Sequence, residues 1–160
     1  MLVDWSNPTI RMVYNNDLSF EASNAVIEIN DEEWVYLAIH TTLGVPHPIH
    51  LHGHDFFFLA QGAGTYNSSV MLNLENPPRR DTAMLPSTGY LVIAFLSDNP
   101  GLWLMHCHIG WHTSEGFGLQ FVERRSELVP LIAEKSMTDT CDAWSSYVES
   151  HSIEQDDSGI

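Results

Sequence analysis

Seven of the nine histidines fall in two short segments, HPIHLHGH (His47 to His54) and HCHIGWH (His106 to His112), and the second holds one of only two cysteines. Imidazole and thiolate are ligands for borderline and soft transition metals, and crowding them together is costly without an ion to bind. In an extended strand successive side chains face opposite ways, so His106 and His108 share one face and Cys107 takes the other. His50 and His52 pair in the same manner. The two His-x-His pairs thus offer four imidazoles to a metal cluster, which leaves His47 and His112 to join Cys107. A His, Cys, His set on a β-sandwich is the ligand pattern of a blue-copper electron-transfer site with a weak axial position. Zinc accepts the same ligands, but structural zinc sites close with four strong donors. No fourth one is evident, because Met105 is expected to turn away from the thiolate. A Cys–His pair also serves thiol hydrolases as nucleophile and base, but that chemistry needs one histidine and not six in two groups. His40 and His151 lie outside the pattern and read as structural; His54, expected on the face of His50 and His52, reads as a residue that orients its neighbours.

These side chains require strands, and the sequence supplies them. AVIEIN and WVYLAIH alternate apolar and polar residues, HDFFFLAQG is an apolar run ending at glycine, and YLVIAFLSDNPG is a strand closed by a turn before LWLMHCHI. ENPPRRD is expected to be a loop, since consecutive prolines cannot continue a sheet. Short strands punctuated in this way predict an all-β fold, a Greek-key β-sandwich, over residues 24–125. Residues 1–23 read as a lead-in. Residues 126–160 read as a helical extension, with SELVPLIAEKS and TDTCDAWSSYVES as helices, the second behind a Thr-Asp start, and a polar tail.

A chain of 160 residues holds one domain with a proper core. Its net charge of -15 disfavours nucleic acid and anionic membranes, which need a basic footprint. No apolar run reaches the ~20 residues of a membrane span. The opening MLVDWSNPTI lacks the features of a signal peptide, whereas Asn67-Ser68-Ser69 is a glycosylation acceptor that has meaning only in a secreted chain. Cys107 and Cys141 lie in dissimilar surroundings and are not expected to pair.

HPIHLHGH and HCHIGWHTSEGF, with NPPRRDT and SDNPGLW between them, resemble the last two copper-binding segments of the multicopper oxidases, in particular fungal laccases of ascomycete type. The resemblance implies that residues 24–125 are the third, C-terminal cupredoxin domain. It implies type 1 copper on His47, Cys107 and His112, a type 2 ligand in His50, and type 3 ligands in His52, His106 and His108. Phe117 falls at the axial position of the type 1 site, where a residue that does not ligate is expected to raise the reduction potential. The implied reaction takes single electrons from phenols or aromatic amines and reduces dioxygen to water. Cys107 and its flanking histidines, His106 and His108, would be the electron path. The tail Asp157, Ser158, Gly159 and Ile160 resembles the processed end that plugs the channel to the cluster in ascomycete laccases. Cys141 lies in a stretch resembling one that forms a disulfide to the first domain.

The resemblance also implies what one domain lacks. Laccases have three cupredoxin domains and eight cluster histidines, and this chain offers four. The expectation is therefore a piece of a secreted enzyme, able to bind type 1 copper but not to reduce dioxygen alone. Two other readings are a free-standing electron-transfer cupredoxin and a chain that completes its cluster by assembly with another polypeptide.

Overall fold

The alternation in WVYLAIH forms strand β2 (Trp34–His40), which turns Val35, Leu37 and Ile39 to the core and leaves Trp34, Tyr36, Ala38 and His40 exposed. The computed structural model describes all of residues 1–160. Eight further strands complete the architecture: β1 (Val26–Ile29), β3 (His47–Leu51), β4 (Phe56–Ala63), β5 (Arg79–Arg80), β6 (Thr82–Leu85), β7 (Gly89–Leu96), β8 (Gly101–Cys107) and β9 (Gly118–Glu123). They form two sheets, in the orders β1-β9-β8-β3-β6 and β2-β7-β4-β5. Most neighbours are non-consecutive, so the chain crosses repeatedly between the sheets, as Greek-key connections require. All pairings are antiparallel except β1 with β9.

The core lies between the sheets. Ile49 and Leu51 from β3, Phe56 from β4, Leu91, Ile93 and Phe95 from β7, and Phe121 from β9 are almost wholly buried. Burying each such side chain contributes about 1.5–3 kcal/mol. The apolar run of β4 is explained by coverage on both faces. Leu59 is an extra residue at a bulge against β7, and it packs outward with Tyr90 and Val92 beneath Tyr66, Val70 and Leu72 of the loop that follows β4.

Several expectations need correction. The ENPPRRD segment is not wholly loop, because Arg79 and Arg80 pair with Phe57 and Phe56 as a two-residue edge strand beyond the prolines. The stretch SELVPLIAEKS does not form one helix. Helix α3 (Arg125–Leu128) gives way to a 3-10 turn at Val129–Leu131, where Pro130 lacks an amide donor, and Ile132 is extended. The last helix, α4 (Glu134–His151), starts before Thr138, so Thr138 and Asp139 lie inside it. Met105 shares the core face with Cys107 and does not turn away from it; both are buried. The lead-in contains a helix, α1 (Thr9–Tyr14), whose Val13 packs with Val122 and Leu128.

Candidate metal centre

His47 opens β3 and Cys107 closes β8, and the register of these neighbouring strands sets Cys107 against Ile49. Beyond β8 a short helix, α2 (Gly110–Ser114), folds back and brings His112 to the same place. The Cys107 sulfur lies 3.7 Å from His47 Nδ1 and 3.5 Å from His112 Nδ1, and the two nitrogens are 3.1 Å apart. An ion held at about 2.0–2.3 Å from three donors keeps them roughly 3.5–4 Å from one another. The donor set therefore fits a three-coordinate soft site after a small expansion. His47 and Cys107 are fully buried. Phe117, just before β9, sets its ring edge-on at 4.9 Å from His47 and offers no donor atom. A cavity of about 270 Å³ lined by Leu37, Ile39, Ile49, Met105 and Phe117 adjoins the thiol and keeps its surroundings apolar.

On the opposite face of the same two strands, His50 stands directly across from His106. The rings of His50, His52, His106 and His108 form a patch with neighbouring centroids 4.7–5.8 Å apart. His52 and His106 bring Nε2 atoms to 3.1 Å, as lone pairs directed at a shared cation would. His50 Nδ1 donates to the Asp81 carbonyl at 2.9 Å and lies 3.1 Å from the Thr82 hydroxyl, which leaves its Nε2 free. His106 Nδ1 donates to the Cys107 carbonyl at 3.0 Å, which frees its Nε2 likewise. His52 and His108 are exposed. Strand alternation thus separates a buried His, Cys, His set from an open four-histidine set, the two being joined along β3 and through the backbone around Cys107.

The protonation states suit ligands. Burial pushes His47 below the ordinary histidine range, helped by His112. Burial does the same at His52, reinforced by His50, His106 and His108. At His106 burial again lowers the value, with the Cys107 carbonyl opposing and His50 and His108 adding to it. Neutral imidazoles are what a metal requires. Burial raises the Cys107 thiol, so the proton is held there until an ion replaces it.

His54 is elsewhere. Strand β3 ends at Leu51, and Gly53 turns the chain with φ +73°, at a point where a Cβ would meet the Trp103 ring at 2.4 Å. His54 is buried with Nε2 3.1 Å from Glu123 Oε2, and Glu123 is itself fully buried and accepts the Asn99 amide at 2.8 Å. Burial opposes protonation of His54, but the adjoining Glu123 carboxylate, helped by the His52 carbonyl and Asp98, outweighs it and raises the value. Sequence reading missed this pair, since nothing local links residues so far apart in the chain.

Trp111 is 72% exposed and stacks on His112 with ring centroids 5.3 Å apart. Cys107 and Cys141 are both free thiols. Cys141 lines an apolar groove with Trp5, Ile10, Met137 and Trp144. Asn67 is exposed and its side chain accepts hydrogen bonds from the Ser69 amide and hydroxyl. In the tail, Ser158 is only 2% exposed. No helix is long and apolar enough to cross a membrane.

A two-sheet Greek-key sandwich that buries a His, Cys, His set beside an apolar ring defines a cupredoxin-type metal domain. Residues 3–127 match the multicopper oxidase family, and the chain belongs to that family. It is 48% identical to laccase-1 of Botryotinia fuckeliana, covering 100% of this chain and 30% of the relative. It is 39% identical to a laccase of Neurospora crassa, covering 99% of this chain and 29% of the relative. The laccase structure from Botrytis aclada superposes with a TM-score of 0.88 at 45% identity, over 100% of this chain and 31% of that one. The chain thus spans about 30% of the length of its curated relatives. The cofactor implied by the family is copper.

Proposed function

We propose that this chain is the third cupredoxin domain of a secreted laccase, acting in one-electron oxidation of phenols or aromatic amines with reduction of dioxygen to water. The observation that carries this reading is the placement of two donor sets on opposite faces of β3 and β8, joined at Cys107. His47, Cys107 and His112 would hold a type 1 copper, His50 a type 2 copper, and His52, His106 and His108 type 3 coppers. When bound, copper supplies one-electron acceptance at the buried set and dioxygen chemistry at the open set.

The chain's own residues supply the arrangement. Cys107 links the two sets through the peptide bonds to His106 and His108, and its carbonyl holds the His106 ring by a second, non-covalent connection. Phe117, whose ring lies against His47, would offer no donor to an ion held there, which would favour a high potential. Trp111, stacked on His112, borders the edge where a phenol would give up its electron. The four exposed or half-exposed cluster histidines fit a face completed by histidines of the preceding domains, and that argues against a free-standing electron carrier. In the same reading Cys141 forms a disulfide to the first domain, Asn67 carries a glycan, and Asp157–Ile160 plugs the channel to the cluster. The test is dioxygen uptake with a phenol. The purified 160-residue chain is expected to show none, and sustained uptake by it would refute the shared-cluster reading.

A further inference from the structure

We infer that Ser158 is a positioning residue for His112, so that the C-terminal tail braces the turn carrying the third donor of the buried site. Helix α2 spans five residues and has no side-chain cap at its start, far short of what holds a helix together unaided. The Trp111, His112 and Thr113 carbonyls of its last turn accept the Glu115, Phe117 and Gly116 amides, and the Ser114 carbonyl takes its amide from the tail. Ser158 contacts this turn twice. Its hydroxyl donates to the Thr113 carbonyl at 3.1 Å, and its amide donates to the Ser114 carbonyl at 2.8 Å. The Ser158 carbonyl in turn accepts the Val3 amide at 2.8 Å, which ties the tail to the N-terminal lead-in.

Close approach is built in. Gly116 takes φ +87°, and a Cβ there would meet the Met1 backbone at 2.4 Å and lie 3.3 Å from the Ser158 Cβ, so the first residue and the tail both pack against this turn. On its other side, Thr113 reaches the metal site, since its hydroxyl donates to the Cys107 carbonyl. One residue, next in sequence to His112, is therefore held by the tail through its carbonyl and holds Cys107 through its hydroxyl. The brace acts at the buried His, Cys, His set. It is separate from any blocking of a channel to the four-histidine face. The metal's identity rests on the function proposed above; the mechanical link does not.

The test compares the chain with S158A and with a chain ending at Gln155, each loaded with Cu(II). It records the thiolate-to-copper absorption band, the rate at which EDTA bleaches it, and amide exchange at Thr113, Glu115, Gly116 and Phe117, with Leu91 to Ile93 as reference. One lost neutral hydrogen bond corresponds to about a five-fold change, and the truncation loses both bonds to α2 together with the Val3 bond. The expected result is bleaching and α2 exchange about five-fold faster in S158A and faster still in the truncated chain, with β7 exchange unchanged. Identical bleaching and exchange in all three overturn the inference, as does a rise that includes β7, which would mean general loosening. If the parent chain shows no band, the copper reading fails, and exchange at α2 decides the brace alone.

Discussion

The ring of His106 donates from Nδ1 to the backbone carbonyl of Cys107, 3.0 Å away, so the residue that carries the buried thiol also fixes the tautomer of the neighbouring imidazole. A carbonyl can only accept, and the proton on Nδ1 therefore leaves Nε2 bare toward His52. The two donor sets are coupled by covalent bonds and by this contact.

The two cysteines should differ sharply in reactivity. Cys107 is buried and its thiol is pushed up by that burial, whereas Cys141 is half-exposed on α4. In the metal-free native chain a thiol reagent is expected to modify one equivalent quickly, removed by C141S. Cys107 should react only on unfolding. Rapid modification of both would mean that the buried site is open.

Glu123 is fully buried against His54 and the Asn99 amide. Replacing it with Ala leaves an imidazole and an amide without their partner, and breaking a buried pair in this way costs about 3–5 kcal/mol. Urea unfolding of E123A should show a loss of that size, with E123Q in between. A loss below about 1 kcal/mol would show the pair to be dispensable.

The metal-free chain should be less stable in acid. His47, His52 and His106 are held below the ordinary histidine value in the folded state. Below that value the unfolded chain binds protons that the folded chain refuses, so stability falls as pH drops through it toward the depressed folded values. His54 is raised and acts in the opposite direction, but it is one group against three. The melting temperature is expected to be lower at about pH 5 than at about pH 7.5, and the H54Q variant should show the steeper fall. A flat or inverted profile would contradict the assignment of neutral imidazoles.

Phe117 presents a hydrocarbon ring beside His47. F117M would place a thioether there, able to donate to the oxidised ion and stabilise it. A redox titration of the blue band should find a lower reduction potential in the variant. An unchanged or higher potential would place the axial side elsewhere.

The four-histidine face and the buried cysteine were legible because strand alternation alone separates them, and both segments proved to be neighbouring strands. His54 was misplaced because alternation was carried past Leu51, where Gly53 turns the chain. Its partner Glu123, like the hold of Ser158 on Thr113, arises from packing between distant segments and leaves no local pattern. The edge pairing of Arg79 and Arg80 was hidden by the prolines before them, which stop a strand but do not prevent one from starting just afterwards. Helix α4 was recognised from its apolar spacing, yet none of its residues is buried, so that spacing marked an uncovered face and no part of this domain's core.

If His47, Cys107 and His112 hold copper through the Cys107 thiolate, the visible absorption spectrum of the purified chain loaded with Cu(II) reports it. The expected result is an intense charge-transfer band that disappears in C107S and persists in C141S. A chain that binds copper without that band, or a band that survives in C107S, would contradict it.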